Sequence, residues 1–207
     1  MYHVMKTIDK PEWLDPETDT RNVIDEFKGL PTGFIRATMQ ERRVPAINVA
    51  MNLTHDFNKS TTIRSGEAFC FQEFVFVNRV NNMEPTNPEG AKRWDKRGSV
   101  GMQNYANIRH TVDWAALFAE YREQGYRIFA VDNIPAYNPT IVYDAKLPEK
   151  SVFVYGEESL GLSQEVIEAC DEMVYIDHTG IPRSLNVASA ASICMYEYSR
   201  QNRHLYK

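Results

Sequence analysis

Side chains with the means to do chemistry gather in two turns, each standing between an apolar run and a helix. The first lies in SVFVYGEESLGLSQEVIEAC, residues 151–170, and carries Gly156 and Glu158; the second lies in MVYIDHTGIPRSLNVASAASICMYEYSRQ, residues 173–201, and carries Ser184 and Asn186. On their own terms Glu158 is a solvated turn carboxylate and Ser184 a helix cap. For Arg64, on an amphipathic stretch, surface solvation is the default. Phosphate binding has two local candidates: AKRWDKRG, where Lys92, Arg93, Lys96 and Arg97 surround Trp94, and the pair Arg42 and Arg43. Either could equally be a solvated charged loop. Cys70, Cys170 and Cys194 are odd in number, lack C-x-x-C spacing and sit in apolar helical contexts, so buried thiols are expected rather than a disulfide or a metal site. No G-x-G-x-x-G occurs, so the standard dinucleotide fingerprint is absent.

These residues need elements to position them. The run Val152 to Tyr155 is β-branched and aromatic, as a strand buried on both faces should be, and it stops at Gly156. GEESLGL is then a strand-to-helix loop, with Ser163 as N-cap, Glu165 in the first turn and Leu162 placed to staple against Ile167. Met173 to Ile176 predicts a short strand, and from Val187 the positions Ala190, Ala191, Cys194, Met195 and Tyr198 continue a helical repeat. Its narrow face of small residues, Ala188 to Ser192, predicts close packing. Upstream, residues 47–53 predict the first core strand, 55–59 a loop, 60–69 a helix and 73–78 a second strand. Residues 80–105 are rich in Asn, Pro, Gly and charge and predict a functional loop or disorder. Trp114, Leu117, Phe118 and Tyr121 mark an amphipathic helix ended by Gly125, with a strand over 127–132 behind it. This alternation implies a doubly wound parallel α/β sheet with ligands at the carboxyl ends of its strands.

A chain of 207 residues, 43% hydrophobic and 12% aromatic, can bury one sizeable core, which predicts one main domain. The first 30 residues are acidic and punctuated by Pro11 and Pro16, with one helical candidate at 21–28; they read as an extension. A short helix is expected over 33–43, with Pro45 ending what precedes it. Neither a signal peptide nor an apolar run of membrane-spanning length is present, so a soluble, intracellular protein is expected. The net charge of -5 argues against a protein that grips nucleic acid over its whole surface, and any RNA contact must be local.

GEESLGLS, followed by IDHTGIPRSLNVASAASICMYEY, closely resembles the second and third motifs of the SpoU (TrmH-like) branch of the SPOUT RNA methyltransferases. INVAMNLTHDFNKSTTIRSGEAFCF, residues 47–71, resembles the first, and the likeness spans roughly 47–203. It implies an α/β-knot fold whose C-terminal part is threaded as a deep trefoil knot, an exception to the rule that chains do not knot. Residues 46–207 would form the methyltransferase domain and 1–45 an N-terminal extension. The resemblance further implies S-adenosylmethionine as cofactor, without a metal, bound at Gly156, Ile176 and Leu185, with Val131 ending the strand whose loop adds a contact.

By the same resemblance Arg64 matches the catalytic arginine, and Asn58, Glu158, Ser184 and Asn186 match the remaining polar positions. The implied reaction is methylation of a ribose 2'-hydroxyl of tRNA or rRNA, which needs the oxygen in line behind the sulfonium methyl and its proton removed or shared. Arginine stays protonated, so Arg64 is expected to clamp a neighbouring phosphate. Asn58, Ser184 and Asn186 would orient the hydroxyl and cap loops, and Glu158 would hold Arg64 or backbone amides. A base-methylating SPOUT enzyme and a catalytically silent RNA-binding homologue are the alternatives; joint retention of all five polar residues favours the enzyme. Departures from the family pattern are Glu157 where Asn or Gln is usual, polar Thr61 and Thr62, and Ile181, Pro182 and Arg183 ahead of Ser184. A cytoplasmic homodimer is expected, built on the C-terminal helix, in which Arg64 or the basic loop of one chain serves the cofactor site of the other.

Overall fold

The structure, a computed structural model, describes residues 13–78 and 94–206. In chain order its elements are α1 (Thr32–Arg42), β1 (Val44–Met51), α2 (Asp56–Ala68), β2 (Phe71–Val77), α3 (Lys96–Ser99), β3 (Ile108–Thr111), α4 (Trp114–Glu123), β4 (Arg127–Val131), β5 (Thr140–Ile141), β6 (Ser151–Tyr155), α5 (Gln164–Glu168), β7 (Glu172–Tyr175) and α6 (Val187–Gln201). The strands form one seven-stranded sheet in the order β3-β2-β1-β6-β4-β7-β5, and every pair in it is parallel. Because β6 is inserted between β1 and β4, the strand order switches direction mid-sheet, where the carboxyl-end loops part to leave a crevice.

Period-two alternation sorts the strand residues onto two apolar layers. Phe153 and Tyr155 face α2 and α6, joining Ile63, Cys194, Met195 and Tyr198, while Val152 and Val154 join Leu117, Phe118, Val166 and Ile167 of α4 and α5. Gly66 lets α2 lie close on the sheet: a Cβ there would come within 2.2 Å of the Phe74 ring. Ser192 Oγ lies 2.8 Å from Ser65 Oγ, locking α6 to α2. The small-residue face is therefore used inside the chain, with Ala188 and Ala191 buried, and the exposed apolar side chains of α6 are Ile193 and Tyr196. A second chain docking on α6 would meet those two and not the alanines.

Several expectations need correction. The second helix begins at Asp56 rather than Ser60, so Asn58 belongs to its first turn and not to a loop. No helix forms at 21–28, only a single 3-10 turn, Asp25–Phe27. There Lys28 Nζ donates to the carbonyls of Asp19 and Arg21, at 2.9 and 2.5 Å, and Arg21 donates to that of Leu30, so a side chain takes the Arg21 carbonyl that a helix over 21–28 would use. Pro45 lies inside β1, at an irregularity between Val44 and Ile47, and the preceding helix has already ended at Arg42. Cys70 sits in a turn with φ of 54°, not in a helix. Burial pushes the thiols of Cys170 and Cys194 up to about 12, which leaves them unreactive packing groups. The short strands β3 and β5, and α3 within the long loop, were not foreseen; residues 80–93 of that loop lie outside the described residues. Among the described residues no helix is long and apolar enough to cross a membrane.

If Gly66 sets the approach of α2 to the sheet, Gly66→Ala overpacks a buried contact. Its helix-propensity gain of about 1 kcal/mol is outweighed by a strain cost of up to about 3 kcal/mol. Urea denaturation should show a net loss of about 2 kcal/mol, and a variant as stable as the wild type would mean that Phe74 is free to swing aside.

Candidate active site

A cavity of about 880 Å³ opens at the carboxyl ends of β4, β6 and β7. Val131, Gly156, Ile176 and Leu185, the four expected cofactor positions, all line it, together with Glu158, Ser184 and Asn186. The chain nearly touches itself at its floor, since a Cβ on Gly156 would come within 2.2 Å of the backbone carbon of Gly161. Gly161 has φ of +68°, and its N–H donates to the Glu157 carbonyl at 3.0 Å, closing the turn tightly. Ser163 then caps α5 through Val166 N–H at 3.4 Å, as its type and place predict.

Three of the five expected catalytic side chains form one hydrogen-bonded chain. Asn58 Nδ2 donates to Glu158 Oε1 at 2.8 Å, and Asn186 Nδ2 donates to Asn58 Oδ1 at 3.0 Å. Asn186 Oδ1 accepts from the N–H groups of Ala188 and Ser189 at 2.9 and 3.4 Å and so caps α6. A carboxylate can only accept, which fixes the sense of both amides along the chain. Burial pushes the Glu158 carboxyl up, but the bonds from Asn58 and backbone amides and the neighbouring His55 outweigh it and leave the group below its ordinary value.

The other two do not join. Ser184 lines the cavity, but the cap is Asn186. Arg64 is exposed on α2, is absent from the cavity wall and makes no hydrogen bond or ion pair with a described residue. Six helical residues turn it about 120° from Asn58, so Glu158 holds Asn58 and not Arg64. Sequence reasoning missed Asp132, Glu157, His178 and Arg183 as lining residues. His178 Nδ1 donates to the Ile176 carbonyl at 3.0 Å, which curls the loop over the strand end. Its i, i+2 spacing after a strand carries no distinctive signal.

The basic candidates divide. Arg43 is no RNA ligand: its side chain is 3% exposed and donates to Glu67 at 2.9 Å and to the carbonyls of Phe71 and Tyr105 at 2.6 and 2.9 Å. Arg42 is half-exposed, pairs with Glu26 and lies over the Phe27 ring. Lys92 and Arg93 lie outside the described residues. Lys96 and Arg97 are exposed on α3, whose N-cap Asp95 also pairs with Arg97 at 2.9 Å. The Asp95 N–H donates to Ser60 Oγ at 3.0 Å, so this basic turn stands against the same end of α2 that carries Asn58. Trp94 is partly buried and packs on Phe76, with ring centres 5.8 Å apart, rather than standing among the basic side chains as a free platform.

Residues 45–196 match the model of the SpoU rRNA Methylase family. A protein of Borreliella burgdorferi named tRNA (guanosine(18)-2'-O)-methyltransferase is 29% identical over 144 residues, covering 67% of this chain and 59% of its own length. The fold is similar to that of an A. aeolicus TrmH/SpoU tRNA modifying enzyme, with a TM-score of 0.71 at 21% identity over 84% of this chain and 85% of that one. It is also similar to that of the SpoU methyltransferase AviRb from Streptomyces viridochromogenes, solved in complex with AdoMet, with a TM-score of 0.62 at 21% identity over 78% of this chain and 59% of that one. The chain spans about half the length of the curated relatives it matches.

The amide chain has a pH signature. A carboxyl whose folded pKa is depressed contributes stability above its unfolded pKa, and that contribution is lost as pH falls through the folded value. Asn58→Ala should cost about 1–3 kcal/mol at neutral pH. It should also lose less further stability than the wild type as pH falls from about 5 to about 3. Parallel acid-denaturation curves for the two proteins would remove Asn58 as the group that lowers the Glu158 pKa.

Proposed function

The chain belongs to the SpoU rRNA methylase family, and from that premise we propose that it transfers a methyl group from S-adenosylmethionine to a ribose 2'-hydroxyl of tRNA or rRNA. The observation that carries this reading is the cavity at the strand ends, which brings Val131, Gly156, Ile176 and Leu185 into one lining with Glu158, Ser184 and Asn186. Its volume, about 880 Å³, accommodates a nucleoside-sized ligand. Strand-end backbone groups and aliphatic side chains suit an adenosine, and the carboxylates of Asp132, Glu157 and Glu158 suit a cationic sulfur. When bound, S-adenosylmethionine supplies a methyl group on that sulfonium. The 2'-hydroxyl specificity is supported by the name of the Borreliella burgdorferi relative, and the cofactor by the AdoMet-bound fold neighbour.

In this reading Asn186 and Ser184, at the N-terminus of α6, orient the ribose hydroxyl, while Asn58 and Glu158 keep Asn186 in its rotamer. The Arg64 guanidinium grips the adjacent phosphate and steers it toward the hydroxyl proton. Its exposed place outside the cavity wall supports a site completed by a second copy, with the arginine of one chain serving the cavity of the other. Family membership also supports a C-terminal trefoil knot, residues 46–207 as the catalytic domain with 1–45 as an extension, and a cytoplasmic homodimer.

Calorimetry with S-adenosylhomocysteine should give the same affinity for the wild type and for Arg64→Ala, while transfer of labelled methyl to RNA drops about 100-fold or more in the variant. Absence of binding heat at millimolar ligand would overturn the cofactor assignment, and undiminished transfer would remove Arg64 from the reaction. Mixing Arg64→Ala chains with Asn186→Ala chains should recover part of the activity. A self-contained site recovers none, and an active species with a light-scattering mass near 23.9 kDa would exclude the dimer.

A further inference from the structure

Most arginines of this acidic chain are occupied: among the described residues eight of them each hold a carboxylate. Arg183 holds none. It makes no hydrogen bond or ion pair with a described residue, it is exposed, and it forms part of the cavity wall beside Ser184. The loop that carries it is pinned at both ends. His178 curls back on the Ile176 carbonyl at 3.0 Å, and Asn186 is tied to Asn58 at 3.0 Å. Between those anchors residues 179–182 are exposed and contribute nothing to the cavity lining. Ile181 at their centre is 102% exposed, more than any other large apolar side chain among the described residues.

A scattered exposed isoleucine is ordinary. This one stands two residues from an unpaired guanidinium at the mouth of the cavity, on a loop anchored at both ends, so both side chains are open to whatever approaches. An apolar group beside a planar cation suits a nucleotide strand: the aliphatic face packs on a base and the fork holds a phosphate. Resting on the reading of the cavity as a methyl-transfer site, we propose that residues 181–183 form the subsite for the RNA strand. Arg183 grips a backbone phosphate next to the target nucleotide, and Ile181 packs on a neighbouring base. Arg183 is thus a substrate-binding residue supplied by the same chain as the cavity, distinct from Arg64.

The competing oxyanion is the carboxylate of the cofactor itself, and the exposure of Arg183 and its neighbour on the rim favours the phosphate. The test is fluorescence anisotropy with a labelled single-stranded RNA of mixed sequence over a range of salt, run beside calorimetry with S-adenosylhomocysteine, for wild type, Arg183→Gln, Arg183→Lys and Ile181→Ser. Arg183→Gln should weaken RNA binding about tenfold and reduce the salt slope by about 0.7, the contribution of one phosphate contact to a single strand. Arg183→Lys should restore the slope but not all of the affinity. Ile181→Ser should weaken binding several-fold at unchanged slope, and all three should keep the affinity for S-adenosylhomocysteine, which certifies the fold. Loss of that affinity in Arg183→Gln with an unchanged salt slope would put the guanidinium on the cofactor carboxylate and overturn the proposal. So would an Ile181→Ser variant that alters only the light-scattering mass, which would make this residue part of a contact between copies of the chain. A wild type that binds S-adenosylhomocysteine but no RNA sinks the subsite alone, whereas one that binds neither sinks the parent reading as well.

Discussion

A buried primary amide has a donor end and an acceptor end, and leaving either without a partner costs free energy comparable to a full hydrogen bond. Asn58 is 6% exposed, and it meets this constraint by giving its donor to Glu158 and its acceptor to Asn186. The consequence reaches well beyond one residue. Glu158 belongs to the loop after β6 and Asn186 to the start of α6, so a single amide holds the two turns of the cavity at hydrogen-bond distance. Two of the N–H groups that α6 would otherwise leave open at its N-terminus, those of Ala188 and Ser189, are closed by the same Asn186.

That amide can bridge only because α2 stands close to the sheet and to α6. Gly66 provides the approach to Phe74, and Ser65 with Ser192 joins the two helices. At the far end of α2 the pair Arg43 and Glu67, with side chains 3% and 4% exposed, fixes the helix against β2 and Tyr105. Burial raises the Glu67 pKa while Arg43 opposes it, as expected of an ion pair placed where water cannot help either partner. Such a pair adds little net stability yet is costly to break singly, so it serves to specify position. The C-terminal turn of α2 is therefore held by two kinds of physics side by side, van der Waals closeness at Gly66 and buried charge at Glu67. Asn58 inherits its position from both.

Charge is managed with the same economy. A chain of net charge -5 has few cations to offer a polyanion, and most of its arginines are committed to carboxylates. Among the described arginines Arg36, Arg64, Arg183 and Arg203 hold no carboxylate, and of these Arg183 alone lines the cavity. The cavity itself is lined with carboxylates at Asp132, Glu157 and Glu158. Anions inside and a cation at the rim is the distribution that a sulfonium cofactor and a phosphate backbone would require of neighbouring subsites.

Local pattern alone carried much of this protein. The runs at 152–155 and 127–131, the helix from Trp114 to Gly125 and the repeat from Val187 are legible because alternation and helical spacing are properties of neighbouring residues, and the motif order identified the turns that would meet. The sequence by itself also determined that Ser163 would cap a helix, since a cap is a contact across three residues. Tertiary structure decided the rest. Asn58 and its two partners are separated by 100 and 128 residues, and no local pattern states that they touch. Arg42 and Arg43 are adjacent and chemically alike, yet one is half-exposed and the other buried, because only the packing of α2 and β2 decides which of two neighbouring side chains points inward. The strands β3 and β5, four and two residues long, are too short to show a period and exist because a preformed sheet offers them an edge.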